Sequence, residues 1–178
     1  MAINSHKVFL IAAARTTVAP VGGFLRNTSI EDMAAAVISE NLSQLNMDIS
    51  EFDDVIVSNA LGGGGNIARL CALKAGFSSE LLGTSIDRQC VGGLDAIIQA
   101  AKQIQSGQAN LILAGGAESF SLRPERHYPS KWNGDLISIE RPPFYPTDDP
   151  TTPLGDAIQG LKQTHQISDT QEYEWVHE

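Results

Sequence analysis

The chain has 178 residues, enough for one domain with a sizeable core or for one domain with an appendage. Its 42% hydrophobic and 19% charged residues are typical of a globular protein. Twelve basic residues against 21 acidic ones give a net charge of −9, which disfavours non-specific binding to nucleic acid or to anionic membrane surfaces. The charge does not exclude an anionic small ligand, which needs only a local basic group.

The cysteine content and the hydropathy pattern both favour a cytoplasmic protein. No run approaches the ~20 apolar residues of a membrane span, and the N-terminal residues lack the basic start and cleavage site of a signal peptide. The two cysteines, Cys71 and Cys90, do not form a disulfide framework. Neither they nor the four scattered histidines have the spacing of zinc ligands, so we predict no metal and no resident cofactor.

Apolar patterns predict strands that alternate with helices from residue 8 to residue 116. A continuous apolar run at 8–14 predicts a strand buried on both faces, and Ser29 begins a helix. This alternation indicates a layered α/β domain with a mixed, largely parallel central sheet flanked by helices. The other predicted strands are 55–61, 84–87 and 111–114, and the other predicted helices are 66–75 and a helix from Cys90 to Gly107 that buries Leu94, Ile97, Ile98, Ala101 and Ile104.

The character of the sequence changes after Ser121. Residues 122–153 hold seven of the eight prolines and show little periodicity, which predicts an irregular excursion, either a functional lid or a disordered segment. A helical pattern resumes at Leu154, and Ser168 with Gln171 predicts a capping box that opens a last helix. We therefore predict an α/β half at 1–121 and part of a loop or lid domain at 122–178.

Cys90 lies where a predicted strand passes directly into a helix, within the stretch IDRQCVGGLDA. Open α/β folds bind ligands at this end of the sheet, and a helix start favours thiolate over thiol. Gly92 and Gly93 allow close approach to the backbone, and the backbone N–H of Cys90 can help to hold an oxyanion. We predict that Cys90 is a nucleophile that takes an acyl group from a thioester. The alternative is a small buried apolar residue, which is our interpretation of Cys71.

Three stretches of the chain are distinctive: ARTTVAPVGGFLRNTSIEDMA, GNIARLCALKAG, and SIDRQCVGGLDAIIQAAKQIQSGQANLILAGGAESFS. They resemble the thiolases, the acyl-CoA C-acyltransferases. The resemblance implies that Cys90 is acylated by an acyl-CoA and that a second acyl-CoA attacks through its α-carbon, or that the reverse cleavage occurs. It implies two similar α/β halves stacked back to back, with a loop domain inserted in the first half. Leu154, followed by Gly155, resembles a Met-Gly pair that lines the acyl pocket.

The resemblance is limited to the first half of a thiolase. The family's activating histidine lies in a Gly-His-Pro stretch and its second cysteine in a Cys-x-Gly-Gly-Gly stretch, and this sequence contains neither. We do not assign the missing role to His127 or His165. We expect either a subunit or a fragment of a longer enzyme, and predict a tight hetero-oligomer in which a second polypeptide supplies both residues.

Three departures from the family pattern leave the substrate open between an acyl-CoA and an acyl-carrier protein. Gly92 stands where the family often has serine, Thr17 where it often has proline, and Pro153 where it often has histidine. The basic residues of the excursion could meet CoA phosphates, although solvated surface charge is their more usual role. These residues are Arg123, Arg126, Lys131 and Arg141.

Two other functions compete with acyl transfer. Residues 63–68, GGGNIA, fit the dinucleotide-binding pattern G-x-G-x-x-A, and Asp87 lies about twenty residues on, where a ribose-binding acid is expected. That pattern normally opens the first βα unit, whereas here one unit precedes it. The second alternative is a non-catalytic scaffold that stabilises a partner and does not require Cys90.

Overall fold

The computed structural model describes residues 7–129, 134–139, 143–144, 146 and 153–177. The chain divides into two compact units, Met1–Pro124 and Glu125–Glu178. Within the described part, every helix falls short of the length and apolarity that a bilayer crossing requires. The helices are α1 (Ile30–Leu45), α2 (Ile67–Lys74), α3 (Gly92–Gln105), α4 (Leu154–Thr164) and α5 (Asp169–His177), and the strands are β1 (Asp54–Ser58), β2 (Gly83–Ile86), β3 (Ile112–Gly116), β4 (Arg126–Pro129) and β5 (Leu136–Ile139).

The first unit contains a parallel three-stranded sheet in the order β2-β1-β3. At the carboxyl end of the central strand, Ser58 pairs with Ile86 on one side and with Gly116 on the other. All three strands therefore finish at one edge. Parallel strands need crossover connections, which α2 and α3 supply.

Helices cover both faces of this sheet. Val55 and Val57 of β1 pack in the layer that contains α1 and α2. Ile56, which points the opposite way because side chains alternate along a strand, packs against Ala96 and Ala100 of α3. The predicted α/β fold with a parallel sheet flanked by helices is confirmed.

The predicted N-terminal strand at residues 8–14 is wrong. These residues form no strand, and the side chains of Phe9 and Leu10 are 73% and 78% exposed. An apolar run becomes a strand only where a neighbour accepts its backbone hydrogen bonds. No strand of the described residues pairs with this segment.

The predicted buried stripe of α3 is also largely wrong. Leu94, Ile97 and Ile98 are 61%, 43% and 40% exposed, whereas Ala96 and Ala100 face the sheet. This helix has apolar residues on two faces, and the sheet takes the face with the smaller ones because they permit closer packing. The larger residues form an apolar face on the other side.

The second unit contains two strands where the sequence predicts only an irregular, proline-rich segment. Strands β4 and β5 form an antiparallel pair in which Arg126 lies opposite Ile139. The predicted helix from Leu154 and the capping box of α5 are confirmed. The Ser168 backbone N–H donates to the Gln171 side chain over 2.9 Å, and the Gln171 N–H donates to the Ser168 hydroxyl over 3.2 Å.

Candidate active site

The topology of the first unit sends the chain to opposite faces after two neighbouring strands, at the carboxyl edge of the sheet. β1 leads into α2 on one face, and the adjacent β2 leads into α3 on the opposite face. Neighbouring strands whose connections diverge in this way leave a gap, which is the usual ligand site of open α/β sheets. Cys90 follows β2 at this edge.

Cys90 is an exposed residue in a single 3-10 turn, Gln89–Val91, immediately before α3. The Asp87 carboxylate accepts the Gln89 N–H over 2.8 Å, and Gln89 has a φ of +51°. Within the described part of the chain, the backbone N–H of Cys90 has no hydrogen-bond partner. The sulfur and an available N–H donor therefore belong to the same residue.

The start of α3 packs very closely on the ends of β1 and β3. A Cβ on Gly92 would lie 1.8 Å from the Ser58 hydroxyl oxygen, and a Cβ on Gly116 would lie 3.4 Å from Gly93 Cα. Only glycine fits at position 92 beside this serine. The two glycines are therefore approached by the sheet itself. A serine at position 92, which the family often has, would collide with Ser58 here.

Glu118, which the sequence analysis did not single out, fixes the loop after β1. One carboxylate oxygen accepts the N–H groups of Ala60 and Leu61 over 2.8 and 3.0 Å, and the other accepts the Asn59 amide over 2.9 Å. The side-chain oxygen Oδ1 of Asn59 in turn accepts the Gly62 N–H over 2.9 Å. The sequence did contain a signal for this role. Glu118 comes just after one predicted strand, and the glycine-rich loop comes just after another.

Cys71, the second cysteine, is completely buried in the core between α2 and the sheet. Burial in apolar surroundings raises the pKa of its thiol to about 11, because it disfavours the charged thiolate. Its interpretation as a core residue is confirmed.

The remaining candidate residues lie in the loop after β3, in the second unit or outside the described residues. Arg123 stacks its guanidinium 5.8 Å from the centre of the Phe120 ring. His127 and His165 are exposed residues of the second unit. The side chain of Leu154 and all of Lys131 and Arg141 are outside the described residues. No group of three His, Cys, Asp or Glu side chains in the described ranges could hold a metal ion.

The dinucleotide hypothesis depended on Asp87 being available to a ribose. Its carboxylate instead stabilises the turn that carries Cys90, through the bond to the Gln89 N–H. The glycine-rich loop after β1 has a separate structural explanation, since the Asn59 and Glu118 side chains hold its first residues.

The fold and the site define a layered α/β protein with an exposed cysteine on a strand-to-helix turn at the sheet edge, and the comparisons specify the family. The thiolase N-terminal domain matches residues 8–138. The chain belongs to the thiolase family.

Curated relatives and a solved structure extend this match. The protein named "Putative acetyl-CoA C-acetyltransferase VraB" of Staphylococcus epidermidis is 36% identical over 166 residues, which is 89% of this chain and 42% of that protein. Its namesake in Staphylococcus aureus is 36% identical over 119 residues, 67% of this chain and 31% of that protein. The crystal structure of the Bacillus anthracis acetyl-CoA acetyltransferase superposes with a TM-score of 0.79 at 28% identity, covering 94% of this chain and 44% of that one. The chain thus spans less than half the length of these relatives.

Proposed function

We propose that the chain provides the nucleophile of a thiolase-type acyltransferase and that Cys90 carries the acyl group. The observation that supports this most directly is the exposed Cys90 at the carboxyl edge of the sheet, with its own N–H available as a donor. The relatives' printed names point to acetyl-CoA as the acyl donor, and an acyl-carrier protein is the alternative donor.

The proposed reaction has two steps. The Cys90 thiolate attacks the thioester carbonyl of an acyl-CoA, the carbon–sulfur bond to CoA breaks, and the CoA thiolate leaves and takes a proton. A second acyl-CoA then loses its α-proton to a base, and its α-carbon attacks the acyl carbonyl. This forms a β-ketoacyl-CoA and releases the Cys90 thiolate, and thiolysis runs the same steps backwards.

A second polypeptide completes the site in this proposal, by supplying a histidine for the first step and a cysteine base for the α-proton. Two observations support it. The Gly-His-Pro and Cys-x-Gly-Gly-Gly stretches are absent from the sequence. The exposed residues Leu94, Ile97 and Ile98 lie three and four positions apart on one face of α3. A contiguous exposed apolar face of this kind supports an interaction site.

The second unit and the cellular location complete the proposal. The family resemblance assigns residues 122–178 to part of the loop domain and Leu154 to the acyl pocket. The two free cysteines support a reducing cytoplasm.

Acetyl transfer to Cys90 tests the catalytic proposal. The tagged chain is purified with everything that accompanies it from its own cells, incubated with acetyl-CoA, digested with trypsin and analysed by mass spectrometry. We expect acetyl on the peptide of residues 89–102 in the native protein and in Cys71→Ser, and none on it in Cys90→Ser. A scaffold would show no acyl adduct at Cys90, and acetyl elsewhere in the chain would contradict the assignment.

Native mass spectrometry of the same preparation tests the second polypeptide. We expect an assembly heavier than the 19.1 kDa chain, in which another chain carries both missing stretches. Acetyl transfer by a species with the mass of this chain alone would refute completion by a partner. A single longer chain that contains both halves would do the same, while leaving the role of Cys90 intact.

A further inference from the structure

Ser58 carries a buried polar side chain, and neither the strand order nor the hydrogen bonding of the sheet accounts for a hydroxyl at this position. Its side chain is only 6% exposed, and it lies at the end of β1, the central strand. Buried polar groups normally have hydrogen-bond partners. Within the described ranges nothing hydrogen-bonds to the Ser58 hydroxyl. The hydroxyl is therefore not needed to satisfy another group in the fold.

The backbone of Ser58 is held rigidly. It pairs with Ile86 and Gly116 in the neighbouring strands, and its carbonyl accepts the Ala117 N–H over 3.0 Å. Along β1 it shares the face of Ile56, which packs on α3. Its side chain is thus a fixed projection from the sheet toward the start of that helix.

The Ser58 side chain lies against Gly92, the first residue of α3. The Cβ that any other residue would place at Gly92 lies 1.8 Å from the Ser58 oxygen and 2.8 Å from the Ser58 Cβ. Both separations are far below van der Waals contact, so one side chain at most occupies this space. Ser58 occupies it, and Gly92 leaves it free.

No side chain caps α3 itself, and the Asp87 carboxylate and the Arg88–Asp95 ion pair join the cysteine turn only to its own neighbours in the chain. Val91 at the N-cap and Arg88 before the 3-10 turn make no side-chain cap hydrogen bond. Packing then sets where the helix start rests on the sheet, and Gly92 has less room than Gly93, because a Cβ on Gly92 would meet Ser58. Cys90 lies only two residues before that contact.

We propose that Ser58 is a positioning residue for Cys90, because its side chain sets where the first turn of α3 rests on the sheet and so where the cysteine turn lies. This inference depends on the proposed function for its significance, since the position of Cys90 matters only if the sulfur reacts. Its test does not depend on that function, because it uses iodoacetamide and no thioester.

The test compares Cys90 alkylation in the full chain and in four variants, as a function of pH. Gly92→Ala forces a side chain onto Ser58, Ser58→Gly removes the contact, and Ser58→Gly with Gly92→Ala moves the side chain from strand to helix. Val57→Ala is the matched control, since Val57 is the adjacent buried residue on the opposite face of β1. Alkylation is followed on the peptide of residues 89–102.

Both single variants at the contact are expected to change the alkylation rate about two- to fivefold, the range by which a helix terminus influences a nearby charge, and to displace the pH profile. The double variant should return toward the native profile, and Val57→Ala should retain it despite lower stability. If Gly92→Ala does not fold, Ser58→Gly and the double variant still test whether Ser58 positions Cys90. A native profile in Ser58→Gly, or a change as large in Val57→Ala, would overturn the proposal.

Discussion

At the scale of single residues, the two cysteines occupy opposite environments. Cys90 is exposed on a turn at the sheet edge, whereas Cys71 is buried between α2 and β1. Thiol chemistry requires both access and the thiolate, and the Cys71 site provides neither at neutral pH.

Iodoacetamide should therefore modify the native chain at one cysteine. At neutral pH we expect alkylation on the peptide of residues 89–102 and almost none on the peptide of residues 70–74 that contains Cys71. In denaturant both peptides should be modified at similar rates. Equal modification of the two in the native protein would contradict the described core.

Cys71 also makes stability depend on pH in the alkaline range. Burial raises the pKa of its thiol from 9.0 to about 11. Above pH 9 the unfolded chain loses this proton while the folded chain keeps it, so stability that is fully present below pH 9 falls as the pH rises toward 11. The loss attributable to this group is about 2–3 kcal/mol.

Urea unfolding of native and Cys71→Ala protein between pH 8 and pH 11 isolates this contribution. The variant should be less stable at pH 8, but the difference should shrink as the pH rises, because alanine has no proton to lose. A difference that stays constant across the range would show that Cys71 does not titrate in this way.

At the scale of elements, the loop after β1 depends on Glu118. Glu118→Ala removes the acceptor for two backbone N–H groups and the Asn59 amide. Loss of partly buried, charge-assisted hydrogen bonds of this kind should lower the free energy of unfolding by about 1–3 kcal/mol.

Chemical denaturation measures this effect, and Glu125→Ala is the control. Glu125 is 88% exposed and makes a surface contact only, with His127 at 3.5 Å, so its removal should change stability by less than about 0.5 kcal/mol. Equal effects at the two positions would refute the role of Glu118.

Local signals predicted most of the elements, and long-range packing decided the rest. The capping box at Ser168, the strand at Val55–Val57 and the helix behind Cys90 follow from periodicity and end residues. The strand prediction at 8–14 was wrong because a strand needs a neighbouring strand to pair with, and the sequence of the segment does not reveal whether one is present. Likewise, the contact of Ser58 with Gly92 joins residues 34 apart in the sequence, and no local pattern indicates it.

At the scale of the whole molecule, the outer face of α3 should govern association. This face is apolar and exposed, and it includes Leu94 and Ile98. Ile98→Lys should reduce self-association of the chain in size-exclusion chromatography at rising concentration, with stability changed by less than about 0.5 kcal/mol.

Ala96→Lys on the same helix is the matched control. Ala96 is fully buried against the sheet, so a lysine there should destabilise the fold by several kcal/mol, since burying an unpaired charge is costly. If the native chain stays monomeric at every concentration, and Ile98→Lys changes nothing, the outer face of α3 is not an association surface.

The anchoring of β1 at both ends has a consequence for how the family can diverge. Asp53, just before the strand, accepts the N–H groups of Asn110 and Leu111, which lowers the pKa of its carboxyl group. Ser58 ends the strand against Gly92, five residues later. One inserted or deleted residue between these points would exchange the two faces of the strand and present a valine to the glycine. Homologues should therefore keep the spacing between positions 53 and 58 unchanged, even where every loop around it varies in length.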